Sequence, residues 1–103
     1  MRIAILGAGS IGCLIAAKLV QAGHDVLVHA RGEHGAMLAI SGLKVSGIWD
    51  YVVNPNQWTV SLEEAGIHPS MEKYFDQSII TCKAKDTQRL SQIAALITDG
   101  PVL

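Results

Sequence analysis

The residues with the clearest chemical meaning lie near the amino end of the chain, where residues 7–12 read Gly-Ala-Gly-Ser-Ile-Gly. This spacing builds an anion site from the main chain. Gly7 allows a tight turn, Gly9 lets the backbone approach a pyrophosphate, and Gly12 lets the following helix pack closely. Amides at the start of that helix then face the anion, with the helix dipole behind them. The predicted pyrophosphate-binding residues are Gly7, Ala8, Gly9, Ser10, Ile11 and Gly12.

A second candidate is Arg31, which follows the next predicted strand, about 20 residues beyond the glycines. Sites for NAD usually place a carboxylate here, where it accepts a hydrogen bond from the ribose 2′-hydroxyl. A guanidinium instead attracts a 2′-phosphate and can donate two hydrogen bonds to it. Arg31 therefore predicts NADPH as the cofactor, with a solvated surface arginine as the alternative. The nearby His29 is expected to be the last residue of the strand.

Lys83 follows another predicted strand, where its ammonium could reach the ribose or phosphate of a dinucleotide, or a substrate carboxylate. An ordinary solvent-facing lysine is the open alternative. Cys13 and Cys82 lie near the same site without an identifiable base, so we expect buried, inert thiols. Their spacing fits neither a metal site nor a disulfide framework, which favours a reducing cytoplasm. The remaining histidines are expected in turns or on the surface: His24, His34 and His68.

The elements that must position these residues alternate along the chain. The predicted strands are 2–6, 25–29 and 76–82, and the predicted helices are 10–22, 33–41 and 86–98. This order predicts a Rossmann-like, doubly wound parallel sheet of the α/β class. Its ligands bind at the carboxyl ends of the strands, so the three strand ends should converge on one crevice. Within the helices, the expected apolar faces comprise Ile11, Leu14, Ile15 and Leu19 in the first, and Leu90, Ile93, Ala94 and Ile97 in the last.

The middle of the chain predicts an insertion in this pattern. Apolar and polar residues alternate over 43–53, which indicates an antiparallel hairpin. Its covered face is expected to hold Trp49, Tyr51 and Trp58. Residues 58–60 predict a short strand, and the segment 61–64 (Ser-Leu-Glu-Glu) predicts a capping box that opens a brief helix. Asp86 is expected to be a helix N-cap.

Composition limits the classes of partner. The 103 residues suggest one domain, and a hydrophobic share of 50% with 17% charged residues suits strands covered on both faces. A net charge of −1 gives no basic footprint for nucleic acid. The sequence contains no uncharged apolar stretch of about 20 residues that would predict a membrane span. An unpaired sheet edge leaves a homodimer open.

Five segments spread over the chain carry a family resemblance. They are residues 1–12, 22–26, 31–34, 41–45 and 76–84. Together they resemble the opening part of the ketopantoate reductases (2-dehydropantoate 2-reductases). The resemblance implies NADPH-dependent reduction of a 2-keto acid, 2-dehydropantoate to (R)-pantoate, on the route to pantothenate and coenzyme A. It assigns the pyrophosphate to residues 7–12, the 2′-phosphate to Arg31 and the nicotinamide side of the cofactor to Lys83.

The same resemblance places the catalytic lysine and the substrate-binding residues of the family in a helical carboxyl-terminal domain that this sequence lacks. We therefore expect residues 1–103 to form an incomplete NADP-binding domain, with no catalytic residue and no turnover on its own. Two other functions are open: a non-catalytic nucleotide-sensing module, and an NAD-linked hydroxyacyl or opine-type dehydrogenase. The basic residue after the second strand and the hairpin both point away from the sensing module.

Overall fold

The computed structural model describes residues 1–47, 49–82 and 84–103. Its strands are β1 (Arg2–Leu6), β2 (Asp25–Ala30), β3 (Leu43–Val45), β4 (Tyr51–Val53), β5 (Thr59–Leu62) and β6 (Gln77–Ile80), and its α-helices are α1 (Ser10–Gln21), α2 (Gly32–Ser41) and α3 (Thr87–Ile97). Four strands form a sheet in the order β5-β2-β1-β6, and every neighbouring pair is parallel. This confirms the predicted α/β class. Within the described residues, no helix combines the length and apolar character needed to cross a membrane.

Strand β1 separates two apolar cores. Successive side chains of a strand point to opposite faces of its sheet. Ile3 and Ile5 therefore pack into the core beneath α1 and α2, whereas Ala4 and Leu6 pack into the core beneath α3. All four side chains are buried. A parallel strand covered on both faces explains why this segment is uniformly apolar in the sequence.

Helix α1 contacts the sheet through small residues, and the apolar face predicted for it is wrong in part. Its buried residues are Gly12, Cys13, Ala16 and Ala17. Ile11 is 71% exposed and Leu14 is 46% exposed. Small side chains let the helix axis approach the sheet, and this close approach leaves the larger residues at its sides. The face predicted for α3 is confirmed, because Leu90, Ala94 and Ile97 are buried and Ile93 is half-buried.

The predicted hairpin is present and packs beside α1. Strands β3 and β4 are antiparallel, with Leu43 opposite Val53. The rings of Trp49 and Tyr51 stack with centroids 5.9 Å apart, and the ammonium of Lys18 lies 3.8 Å from the centre of the Trp49 ring. Both aromatic residues are half-buried against the α1 core, as expected. Trp58 is buried as well, but it precedes β5 and is not part of the hairpin.

Strand β5 is longer than predicted and belongs to the main sheet. It spans Thr59–Leu62 and pairs in parallel with β2, so that it adds a fourth strand to the main sheet. The capping box predicted for residues 61–64 is therefore wrong. Ser61 and Leu62 belong to the strand, and the short 3-10 helix that follows spans Glu63–Ala65 without a side-chain cap. Tertiary pairing with β2 outweighs the local preference for a helix start.

Residues 101–103 lie beside β6. The Ser78 amide donates to the Pro101 carbonyl at 3.1 Å, and the Leu103 amide donates to the Ser78 carbonyl at 2.9 Å. The Ile80 amide donates to the Leu103 carbonyl, which continues the same parallel ladder.

Candidate functional site

The glycine segment forms a turn between β1 and α1. Gly7 has a φ of +106°, a conformation that disfavours any side chain, and its amide donates to the His29 carbonyl at 3.1 Å. Gly9 is the N-cap residue of α1 and has no side chain with which to cap the helix. The first amides of a helix have no carbonyl partner within it. The turn therefore presents main-chain donors at the carboxyl end of β1.

The three glycines meet different surroundings. A Cβ placed on Gly7 would lie 2.5 Å from the Thr81 carbonyl oxygen. One placed on Gly12 would collide with the Gly7 carbonyl oxygen and the Thr81 hydroxyl. A Cβ on Gly9 would meet no atom within 4 Å. Gly7 and Gly12 are thus required for packing of the turn against β6 and α1, whereas Gly9 leaves open space on the outer side.

That open space belongs to a cavity of about 860 Å³ at the carboxyl end of the sheet. Residues 7–12, the ends of β2 and β6, and the beginning of α3 line it. Arg31 is among the lining residues, so the structure brings this predicted site residue and the glycine turn to one crevice. Lys83, the remaining predicted site residue, lies outside the described residues.

Four side chains of alternating charge lie at the edge of this cavity. The Arg31 guanidinium is 3.9 Å from the Asp86 carboxylate, and Asp86 is 3.4 Å from Arg89. Arg89 in turn lies 2.9 Å from Glu63. Asp86 is the N-cap residue of α3, as predicted, but its side chain makes no capping hydrogen bond and faces the two arginines instead. The sequence reasoning missed Glu63 and Arg89, because their pairing depends on elements that are distant along the chain.

Glu64 caps a different helix from the one predicted. Its carboxylate accepts a hydrogen bond from the Gly32 amide, the first residue of α2, at 2.6 Å. The Gly32 amide lowers the pKa of Glu64, and the nearby Arg31 acts in the same direction. A negative charge beside the N-terminus of α2 is favourable because of the helix dipole. Glu64 therefore fixes the start of α2, directly after Arg31.

His29 is the penultimate residue of β2 and is buried, although it was expected at the strand end. Its Nδ1 lies 3.0 Å from the Ser61 hydroxyl of the neighbouring strand β5. Its Nε2 is buried without a hydrogen-bond partner among the described residues. Burial lowers the pKa of His29, so the imidazole is held in its neutral form more strongly than in water.

His34 is exposed, as expected, and its ring also contacts the glycine turn. Its Nε2 lies 2.5 Å from the Ala8 carbonyl oxygen and 3.8 Å from the Cys13 sulfur. The Cys13 thiol donates to the same carbonyl at 3.3 Å. Cys13 thus has an imidazole neighbour, contrary to expectation. Burial raises the pKa of Cys13, which favours the unreactive thiol. Cys82 is only half-buried and lies 3.8 Å from the Thr87 hydroxyl.

A parallel sheet with a glycine turn after β1 and a cavity at the strand ends defines a Rossmann-like domain. Comparison with known families gives a narrower assignment. The family described as ketopantoate reductase PanE/ApbA matches residues 3–103, and the chain belongs to this family.

Individual relatives agree with the family. The chain is 35% identical over 101 residues to a 2-dehydropantoate 2-reductase of Mesorhizobium japonicum, covering 96% of the chain and 29% of that protein. It is 33% identical over 101 residues to the enzyme of the same name from Archaeoglobus fulgidus, covering 98% of the chain and 30% of that protein. The chain therefore spans less than a third of the length of these relatives.

Among solved structures, a ternary complex of D-mandelate dehydrogenase with NADH and anilino(oxo)acetate superposes with a TM-score of 0.77. The two sequences are 26% identical, and the match covers the whole of this chain and 33% of the D-mandelate dehydrogenase chain. The described fold therefore corresponds to about a third of that dehydrogenase.

Proposed function

We propose that the chain is the cofactor-binding part of an NADPH-dependent 2-keto-acid reductase whose substrate is 2-dehydropantoate. The observation that carries this proposal is the position of Arg31 on the cavity that contains the glycine turn. The turn offers main-chain amides to a pyrophosphate, and Arg31 offers a guanidinium to a 2′-phosphate. Family membership supplies the reaction class, and the names of the relatives supply the substrate.

The residues proposed to bind the pyrophosphate are Gly7, Ala8, Gly9, Ser10, Ile11 and Gly12. Lys83 is proposed to contact the nicotinamide side of the cofactor, on the strength of the family resemblance of its segment. The bound cofactor would supply a hydride, and this chain would bind and orient it. The reduction of 2-dehydropantoate would place the protein in pantothenate synthesis.

Cofactor binding tests the central part of the proposal. We expect NADPH to bind more tightly than NADH, and Arg31→Ala to weaken NADPH binding roughly tenfold to a hundredfold with little effect on NADH. Arg31→Lys serves as the matched variant, because it keeps the charge but loses the two-point geometry, and an intermediate effect is expected. Dissociation constants measured by titration calorimetry decide the matter. Equal weakening of both cofactors by Arg31→Ala would contradict the assignment of the 2′-phosphate.

A second candidate is an NADH-dependent reductase of another 2-keto acid. The superposition with an NADH complex of D-mandelate dehydrogenase favours it, as does the carboxylate of Asp86 beside Arg31. The two functions differ in measurable rates. A reductase containing this chain should oxidise NADPH when 2-dehydropantoate is added. Faster oxidation of NADH with an aromatic 2-keto acid would favour the second candidate.

A further inference from the structure

The four charged residues at the cavity edge form a row of ion pairs that begins at Arg31 and ends at Glu63. Asp86 stands between two arginines, at 3.9 Å from Arg31 and 3.4 Å from Arg89. Arg89 also contacts Glu63, so Asp86 and Arg89 each have two oppositely charged partners. Arg31 occupies an end. Its side chain is 56% exposed, whereas that of Asp86 is 15% exposed.

We propose that Asp86 is a specificity-determining residue, whose carboxylate competes with the 2′-phosphate of NADPH for Arg31. This inference rests on the proposed cofactor site and deepens it. In the structure, Arg31 is paired with a carboxylate of the protein. A 2′-phosphate must therefore replace Asp86 as the partner of Arg31, or share the guanidinium with it.

The positions of the two residues make Arg31 the partner that moves. Asp86 is fixed at the start of α3, where the helix dipole favours a negative charge, and Arg89 one turn later holds it from the other side. Arg31 follows β2 and has a long, largely exposed side chain. A separation of 3.9 Å is at the outer limit of an ion pair, and exposed pairs of this kind are weak. A phosphate with about two negative charges can therefore capture Arg31 from Asp86.

The competition acts on one cofactor only. A phosphate bound to Arg31 would lie near the Asp86 carboxylate, and the two anions repel each other. NADH has a neutral hydroxyl at the same position, and so it meets neither the attraction nor the repulsion. Asp86 consequently lowers the preference for NADPH that Arg31 creates. Arg89 and Glu63 carry opposite charges and are paired, so their effects on a bound phosphate largely cancel.

The test is the substitution Asp86→Asn, because asparagine has nearly the shape of aspartate and removes only the charge. The Asp86 side chain makes no capping hydrogen bond that this change could break. We expect the dissociation constant of NADPH to fall about threefold to tenfold and that of NADH to change less than about twofold, at low ionic strength where such pairs are least screened. Asp86→Ser also removes the carboxylate and should act in the same direction. Asp99→Asn is the matched control, since it removes an exposed carboxylate beyond the far end of α3.

The double variant Arg31→Ala/Asp86→Asn separates competition from general repulsion. If Asp86 acts through Arg31, its replacement strengthens NADPH binding less when Arg31 is absent. Weaker NADPH binding by Asp86→Asn, or an equal change for both cofactors, would overturn the inference. If Arg31→Ala removes the preference for NADPH while Asp86→Asn changes nothing, the inference fails and the proposed function stands. If the wild-type chain binds neither cofactor, both fail.

Discussion

The Thr81 hydroxyl donates a hydrogen bond of 2.6 Å to the Gly7 carbonyl oxygen and so joins the end of β6 to the glycine turn. The main chains of Gly7 and Thr81 also lie close together, since a Cβ on Gly7 would be 2.5 Å from the Thr81 carbonyl oxygen. The shape of the turn therefore depends on the side chain of Thr81, which directly follows β6 and is far from the turn in the sequence.

Replacing Thr81 by valine should loosen this junction. The substitution preserves the side-chain shape but removes the donor to Gly7, and we expect the free energy of unfolding to fall by about 1 kcal/mol. Thr81→Ser keeps the hydroxyl and is the control. Chemical denaturation of the three proteins measures the difference. A loss of stability for serine with none for valine would show that the methyl group, and not the hydrogen bond, is the stabilising feature.

Gly9 and Gly12 should respond differently to the same substitution. Gly12→Ala places a methyl group against the Gly7 carbonyl, and such overpacking typically costs about 1–3 kcal/mol. Gly9→Ala meets open space, so its effect on stability should be under about 1 kcal/mol. It should nevertheless weaken NADPH binding, because the methyl group occupies the space that the proposed pyrophosphate needs. Thermal unfolding and NADPH titration of both variants distinguish packing from binding. Undiminished NADPH binding by Gly9→Ala would argue against a pyrophosphate at this turn.

Gly35 illustrates a conflict between helix propensity and packing. An alanine is favoured over glycine inside a helix by about 1 kcal/mol. At Gly35, however, a Cβ would lie 3.0 Å from Leu62 and 3.2 Å from both the carbonyl carbon and the Cβ of Ala30. Because the main chain of β2 cannot yield easily, we expect Gly35→Ala to destabilise the protein by about 1 kcal/mol or more. Ala39→Gly, on the exposed side of α2, isolates the propensity effect. A gain in melting temperature by Gly35→Ala would show that α2 can move away from the sheet.

His29 should make stability depend on pH. Burial lowers its pKa in the folded protein below the unfolded value of about 6.5. As pH falls below about 6.5, the unfolded chain takes up a proton that the folded protein resists. The free energy of unfolding should therefore decrease, by at most about 1.4 kcal/mol per pH unit. His29→Gln should flatten this slope. Denaturation curves between pH 5 and pH 7 provide the measurement, and parallel slopes for wild type and His29→Gln would contradict the assignment.

Much of this fold follows from the sequence because its central strands are buried on both faces. The predicted strands at 2–6 and 25–29 agree with β1 and β2 to within one residue. Strand β5 was predicted only in part, as residues 58–60, because Ser61 and the two glutamates at 63 and 64 also fit a helix start. The parallel pairing with β2 that decides the matter is not a local property of the sequence.

The main-chain part of the candidate site, the glycine turn, could be predicted from the sequence, whereas most of its side-chain contacts could not. The glycine spacing identifies the turn, because each glycine position in this known motif needs a residue without a side chain. The contact of His34 with Ala8 and the pairing of Arg31 with Asp86 arise only when α2 and α3 are placed around the sheet. Neither pair is close in sequence, and neither has a characteristic spacing.

The division of the molecule into a sheet with two covered faces and a separate hairpin has a consequence for local opening. Strands β1 and β2 each have a hydrogen-bonded neighbour on both sides, whereas β3 and β4, among the described strands, pair only with each other. Amide protons of β1 and β2 should therefore exchange with deuterated solvent last, near the rate set by global unfolding, and those of the hairpin should exchange first. The hairpin beside α1 would then detach and return many times while the crevice at the carboxyl ends of the main-sheet strands keeps its form.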